Sequence, residues 1–119
     1  MSTKKRQALV IDDDEAMREL IQVLLESRDF EVDGLADGIH ATELTKEYDV
    51  IVLDMKMPVF DGAKLADYWK ATIPDVLRRV VVLSGYSRVR QPHPEAFAVV
   101  SKPFNHNEFI KIIEECASQ

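Results

Sequence analysis

The sequence predicts an α/β domain, a doubly wound five-stranded parallel sheet with helices on both faces. Three observations predict it. Apolar runs of strand length alternate with segments of helical periodicity, as βαβ units require. Four of those runs end in polar groups: Leu9-Val10-Ile11 in Asp12-Asp13-Asp14, Val50-Ile51-Val52-Leu53 in Asp54, Val80-Val81-Val82-Leu83 in Ser84-Gly85, and Ala98-Val99-Val100 in Ser101-Lys102-Pro103. The run ending at Asp54 is nearly all apolar, as a strand covered on both faces must be.

Each element has its own signal. Residues 7–12 form strand one. Helix one follows from about Glu15 to Ser27, with Met17, Leu20, Ile21, Leu24 and Leu25 on one stripe. Asp14 suits its cap. Phe30 to Leu35 is a short second strand, and residues 39–47 suit a helix with Ile39, Ala41 and Leu44 inward. Val50 to Asp54 is strand three. Asp61-Gly62 begins a helix carrying Leu65, Ala66, Trp69 and Ile73, which Pro74 ends. Strand four runs from about Arg79 to Leu83 and strand five from Phe97 to Ser101. The last helix starts after Asn105, with Phe109, Ile110, Ile112 and Ile113 inward. The crossover between strands four and five calls for a helix. Pro92 and Pro94 deny one across residues 91–94, which leaves at most a turn over Tyr86–Arg90. The fourth helix is therefore expected to be shortened or irregular.

The 119 residues fit one domain, 1–119, without repeats, linkers or low-complexity tracts. Lysine and arginine number 15 against 21 acidic residues, a net charge of −6. That balance argues against a broad nucleic-acid-binding face and against an anionic membrane surface as main partner. Cys116 is the single cysteine, so no intramolecular disulfide forms, and a reducing compartment fits. The apolar stretch Ala8 to Ile11 is too short for a signal-peptide core, and no run approaches transmembrane length. A soluble, cytoplasmic protein is expected.

Ligands bind at the carboxyl edge of an open parallel sheet. There, Asp12, Asp13 and Asp54 would repel one another unless a cation sat among them. Hard oxygen ligands favour Mg²⁺, with a phosphate completing its shell. A nucleophilic aspartate is established covalent chemistry, and Asp54 is placed for it. Pro58 suggests a rigid loop beyond Asp54, and Gly62 allows close backbone approach. A lysine leaving a buried strand needs a partner, which a phosphoryl group or Asp54 supplies to Lys102. Ser84 and Gly85 offer a hydroxyl and an unhindered amide to phosphoryl oxygens. Taken singly, each signal is equally a cap, a turn or a solvated lysine; their order along one chain makes them specific.

In that order and spacing the chain resembles the receiver domain of two-component response regulators, of the chemotaxis-regulator kind. The match runs over essentially the whole chain: Asp12-Asp13, Asp54, Pro58, Gly62, Ser84-Gly85 and Lys102-Pro103. The resemblance implies a flavodoxin-like sheet of order 2-1-3-4-5. It implies that Asp54 accepts a phosphoryl group from a phosphohistidine on a sensor histidine kinase or histidine phosphotransfer protein. Asp13, Asp54 and the backbone carbonyl of Lys56 would bind Mg²⁺ directly, and Asp12 through water. Lys102 would pair with the phosphoryl oxygens and Ser84 would swing in to hydrogen-bond them. The side chains of Lys56 and Tyr86 would tune loss of the phosphoryl group at the mouth of the site, beside Gly85. Output would pass to a separate effector protein, with no direct nucleic-acid contact and no membrane insertion. Such a chain catalyses its own phosphorylation and dephosphorylation without being a conventional enzyme.

Two departures from the family stand out. The position three residues before the lysine, often aromatic, is Val99, with Phe97 expected on the same strand face. Only 17 residues separate Ser84 from Lys102, which puts output through the usual face of fourth helix, fifth strand and last helix in question. Two other readings are weaker. An Mg²⁺-dependent aspartyl-phosphate hydrolase fits Asp12-x-Asp14, but Glu15-Ala16 follows where that family has Thr or Val, and no cap domain is present. A phosphorylation-independent binding module would not need the full residue set. His40, His93 and His106 lack ligand spacing. Arg78, Arg79, Arg88 and Arg90 read as solvated surface, with docking of an acidic partner as the alternative. Trp69 and Leu65 read as packing.

Overall fold

The computed structural model describes residues 5–42, 44, 46–55, 62–85 and 95–119. Its strands are β1 (Arg6–Ile11), β2 (Phe30–Leu35), β3 (Val50–Asp54), β4 (Val80–Ser84) and β5 (Ala98–Ser101). They form one parallel sheet in the expected order, β2-β1-β3-β4-β5. The described α-helices are α1 (Glu15–Glu26), α2 (Gly62–Thr72) and α3 (His106–Ala117).

Strand alternation divides the core into two layers. Ala8 and Val10 of β1, Val50 and Val52 of β3, and Val81 and Leu83 of β4 pack with Ile21 and Leu25 of α1 and Phe109 and Ile113 of α3. The intervening residues Leu9, Ile11, Ile51, Leu53, Val80 and Val82 pack with Leu65, Ala66 and Trp69 of α2. Every residue of β3 and β4 is buried, which is why both read as unbroken apolar runs. Each aliphatic side chain so buried contributes about 1.5–3 kcal/mol. Trp69 and Leu65 are packing residues, as expected.

Both predicted helix caps form. Asp14 Oδ1 accepts from the amides of Ala16 (3.0 Å) and Met17 (3.3 Å), and Asn105 Oδ1 accepts from the Glu108 amide (3.1 Å). These bonds satisfy donors that have no partner inside the helix.

Several expectations are corrected. Among the described residues of 39–47 no α-helix forms: Ile39–Ala41 make a single 3-10 turn, and residues 42, 44, 46 and 47 are not helical. Local bonds divert the backbone there. Asp37 Oδ1 takes the His40 amide (3.0 Å), Thr42 Oγ1 donates to the Ile39 carbonyl (2.9 Å), and the Trp69 indole donates to the Ala41 carbonyl (3.1 Å). Ile39 is consequently exposed, not inward. Ile73 lies beyond α2 and is exposed, because the proline after it disfavours helical backbone; its φ is −142° and ψ 65°. Pro74–Arg79 then form a 3-10 segment that the sequence reading did not foresee. Leu20 sits at the exposed rim of the α1 stripe. Phe97 does not share a face with Val99: it precedes β5 and packs with the α1/α3 layer, whereas Val99 packs with the α2 layer. Asp61, Pro58, the fourth-helix region at 86–90, Pro92 and Pro94 lie outside the described residues.

Candidate functional site

Four strand ends meet at the carboxyl edge of the sheet. Asp12 is the residue after β1, Asp54 ends β3, Ser84 ends β4, and Lys102 follows β5. The ladder bonds continue past the strands. Asp12 N donates to Leu35 O (3.0 Å), Met55 N to Leu83 O (3.1 Å) and Lys102 N to Ser84 O (2.7 Å). The site residues are therefore held at their main chains by the sheet itself. The Lys102–Pro103 peptide is cis.

This edge buries charge. Asp12 is fully buried, Asp54 is 4% exposed and Ser84 8%, whereas Asp13 is exposed. Carboxylate oxygens of Asp12, Asp13 and Asp54 all lie within 4.8 Å of one another. Lys102 Nζ lies 3.2 Å from Asp54 Oδ1 and 3.8 Å from Asp12 Oδ2. Asp12 Oδ1 accepts from the Asp14 amide (2.9 Å), but Asp12 Oδ2 is buried and accepts no hydrogen bond among the described residues. Burial pushes the Asp12 carboxyl up to about 6, and the charges of Asp54 and Asp13 push the same way. The Asp14 amide and Lys102 oppose them. A buried carboxylate oxygen without a donor, among two further carboxylates, fits a hard divalent cation.

The predicted residues divide plainly. Asp12, Asp13 and Asp54 come together, and Lys102 joins Asp54 and Asp12. Ser84 lies at the end of β4, where its neighbour Leu83 pairs with Asp54 and Ser84 itself pairs with Ser101. Asp14 is taken by its helix cap. A Cβ at Gly62 would stand 2.5 Å from Asp54 O and 2.8 Å from Met55 Cα. The bare backbone of Gly62 thus lets α2 start against the main chain at the end of β3, with Gly62 N donating to Met55 O at 3.2 Å. A Cβ at Gly85 would meet nothing within 4 Å among the described residues. Lys56 and Tyr86 lie outside the described residues, as does His93. His40 pairs on the surface with Asp37 (2.8 Å) and is no ligand. The sequence reading gave no role to Arg18, whose Nη1 donates to the Asp12 carbonyl at 2.7 Å. The available signal was its place in the first turn of α1, where long side chains lean back toward the residues before the helix.

A family model described as the response regulator receiver domain matches residues 8–114. The chain is 42% identical over 60 residues to the chemotaxis protein CheY of Halobacterium salinarum, covering 48% of this chain and 49% of that protein. It is 29% identical over 115 residues to the sensor kinase CckA of Brucella abortus, covering 90% of this chain and 12% of that one. The chain therefore spans half or less of the length of these relatives. Among solved structures, it is similar to the response regulator TrrA of Thermotoga maritima in complex with Mg²⁺–BeF. The TM-score is 0.82 at 27% identity, over 93% of this chain and 98% of that one.

Proposed function

This chain belongs to the response regulator receiver domain family, and on that premise we propose that Asp54 accepts a phosphoryl group from a phosphohistidine, with Mg²⁺ bound beside it. The observation that carries the reading is the pairing of Asp54 Oδ1 with Lys102 Nζ at 3.2 Å, inside a cluster of three carboxylates of which two are buried. Residues 1–119 are read as one such domain. Its donor is a sensor histidine kinase or a histidine phosphotransfer protein, and its target a separate effector. The exchange takes place in the cytoplasm, in keeping with a buried lone thiol.

Asp13 and Asp54 would hold the cation directly, with the carbonyl of Lys56, and Asp12 through water. When bound, Mg²⁺ supplies charge neutralisation at the phosphoryl oxygens. A carboxylate oxygen of Asp54 attacks phosphorus in line, the bond from phosphorus to the donor imidazole breaks, and the imidazole takes up a proton. Lys102 transfers its ammonium contact from the Asp54 carboxylate to a phosphoryl oxygen. Ser84 donates its hydroxyl to another, beside the backbone of Gly85. That recruitment biases a two-state equilibrium at the partner face. Lys56 and Tyr86 govern access of the water that later removes the group. Substrate and catalyst are thus the same chain.

The test is intact mass after incubation with acetyl phosphate, with and without Mg²⁺. A single labile phosphoryl adduct that requires Mg²⁺ is expected, and Asp54→Ala abolishes it. An adduct of equal yield in Asp54→Ala would sink the assignment.

A further inference from the structure

Asp12 is gripped on three sides. Its amide donates to Leu35 O (3.0 Å), its Oδ1 accepts from the Asp14 amide (2.9 Å), and its carbonyl accepts from Arg18 Nη1 (2.7 Å). That carbonyl belongs to the peptide joining Asp12 to Asp13. The plane of this peptide sets the directions in which the two carboxylates leave the chain. A donor on its oxygen therefore acts on both carboxylates at once without touching either.

Arg18 stands where helix stability alone would not put it. It closes the first turn of α1, its amide donating to Asp14 O (2.9 Å), and a cation near a helix N-terminus opposes the macrodipole. The adjacent strand makes room for it. Gly34 of β2 pairs with Val10, and a Cβ there would stand 3.3 Å from Arg18 Cδ and 2.9 Å from Gln22 Nε2. Glycine inside a strand weakens it and marks a close approach. The bare backbone of Gly34 thus makes room for the side chains of both Gln22 and Arg18.

We propose that Arg18 is a positioning residue for the metal site: lying over Gly34, it clamps the Asp12–Asp13 peptide and so fixes the pair of carboxylates that face the cation. This rests on the reading of the site as an Mg²⁺-dependent phosphoacceptor. Arg18 acts through the backbone, so its loss changes Mg²⁺ affinity more than folding.

The experiment is calorimetric titration of the chain with Mg²⁺, beside thermal unfolding in a chelator. Arg18→Ala is expected to weaken Mg²⁺ binding by about tenfold or more, the usual cost of losing an outer-shell partner, with the metal-free midpoint little changed. Arg18→Lys recovers part of the affinity, because one ammonium donor still reaches the carbonyl. Gly34→Ala, which crowds the arginine stem, weakens binding less than Arg18→Ala. Should Arg18→Ala not fold, Arg18→Gln carries the test, since its stem packs but its amide falls short. Affinity equal to the wild type in the folded alanine or glutamine variant overturns the role of Arg18 alone. A wild-type chain that binds no Mg²⁺ overturns the phosphoacceptor reading and this role with it.

Discussion

The two edges of the sheet treat charge in opposite ways. At the amino edge, charged groups find partners, although among the described residues the buried Gln7 Oε1 accepts no hydrogen bond. Arg6 pairs with Glu114, donates to the Arg28 carbonyl (2.9 Å) and lies 4.2 Å over the Phe30 ring. Asp49 accepts from the Gln7 amide (2.7 Å), and Arg79 donates to the Tyr48 carbonyl (3.2 Å). At the carboxyl edge three carboxylates cluster, Lys102 pairs with two of them, Asp54 and Asp12, and among the described residues a buried oxygen of Asp12 accepts no hydrogen bond. Paired charges support the fold. A cluster of carboxylates that outnumbers the cations among the described residues suits a divalent cation. Substitutions at the amino edge should therefore change stability alone, and those at the carboxyl edge should change chemistry as well.

The largest expected effect comes from Lys102→Ala, which removes the cation proposed to meet the transferring group. Labelling by acetyl phosphate should slow by about 100-fold, the scale for losing one preorganised donor, as followed by adduct mass against time. An unchanged rate would remove Lys102 from the chemistry.

Gly62→Ala sharpens the comparison by striking the end of β3 through its backbone. With a Cβ 2.5 Å from Asp54 O, the start of α2 must shift. A loss of about 1–3 kcal/mol in denaturant unfolding is expected, together with slower labelling. Loss of one without the other would mean that α2 does not position Asp54.

Asp12→Asn has the opposite sign. The folded chain raises the Asp12 carboxyl from 3.8 to about 6, burial being the chief cause. Above pH 6 the folded state holds a charge that the unfolded state holds more easily. Below pH 3.8 both states are protonated and the penalty vanishes. In a chelator the variant should thus be more stable than wild type by on the order of 1 kcal/mol at pH 7, with the gain fading as pH falls through this window. A variant less stable at pH 7 would contradict the claim that this edge carries a stability penalty.

The smallest effect belongs to the amino edge. Arg6 holds the Glu114 carboxyl below its ordinary 4.5. A depressed carboxyl contributes stability above pH 4.5 that is lost as pH falls through the folded value. Glu114→Gln should flatten that acid-side decline and cost no more than about 1 kcal/mol at neutral pH, since the pair is a third exposed. Phosphorylation should be unaffected; slower labelling would tie the amino edge to the chemistry.

What the sequence made legible follows this division. The strands were readable because burial on both faces leaves unbroken apolar runs, as in β3 and β4. The caps at Asp14 and Asn105 were readable because their bonds are local. Asp12, Asp13, Asp54 and Lys102 were readable as a set because a parallel sheet brings successive strand ends to one edge. Contacts made across the fold were not. The 39–47 segment has helical spacing, but the Trp69 indole, 28 residues away, takes its carbonyl. The side taken by Phe97 depends on where β5 begins, and strand alternation does not hold outside a strand. The reach of Arg18 over Gly34 joins a helix to a strand that it never pairs with in sequence.

The most direct test of the central claim is the location of the phosphoryl group. Borohydride reduces an aspartyl phosphate to homoserine, which peptide mass spectrometry places by residue. After labelling with acetyl phosphate and Mg²⁺, homoserine is expected at position 54, and Asp54→Asn should yield none. Homoserine at another aspartate, or an adduct that resists borohydride, would contradict Asp54 as the acceptor.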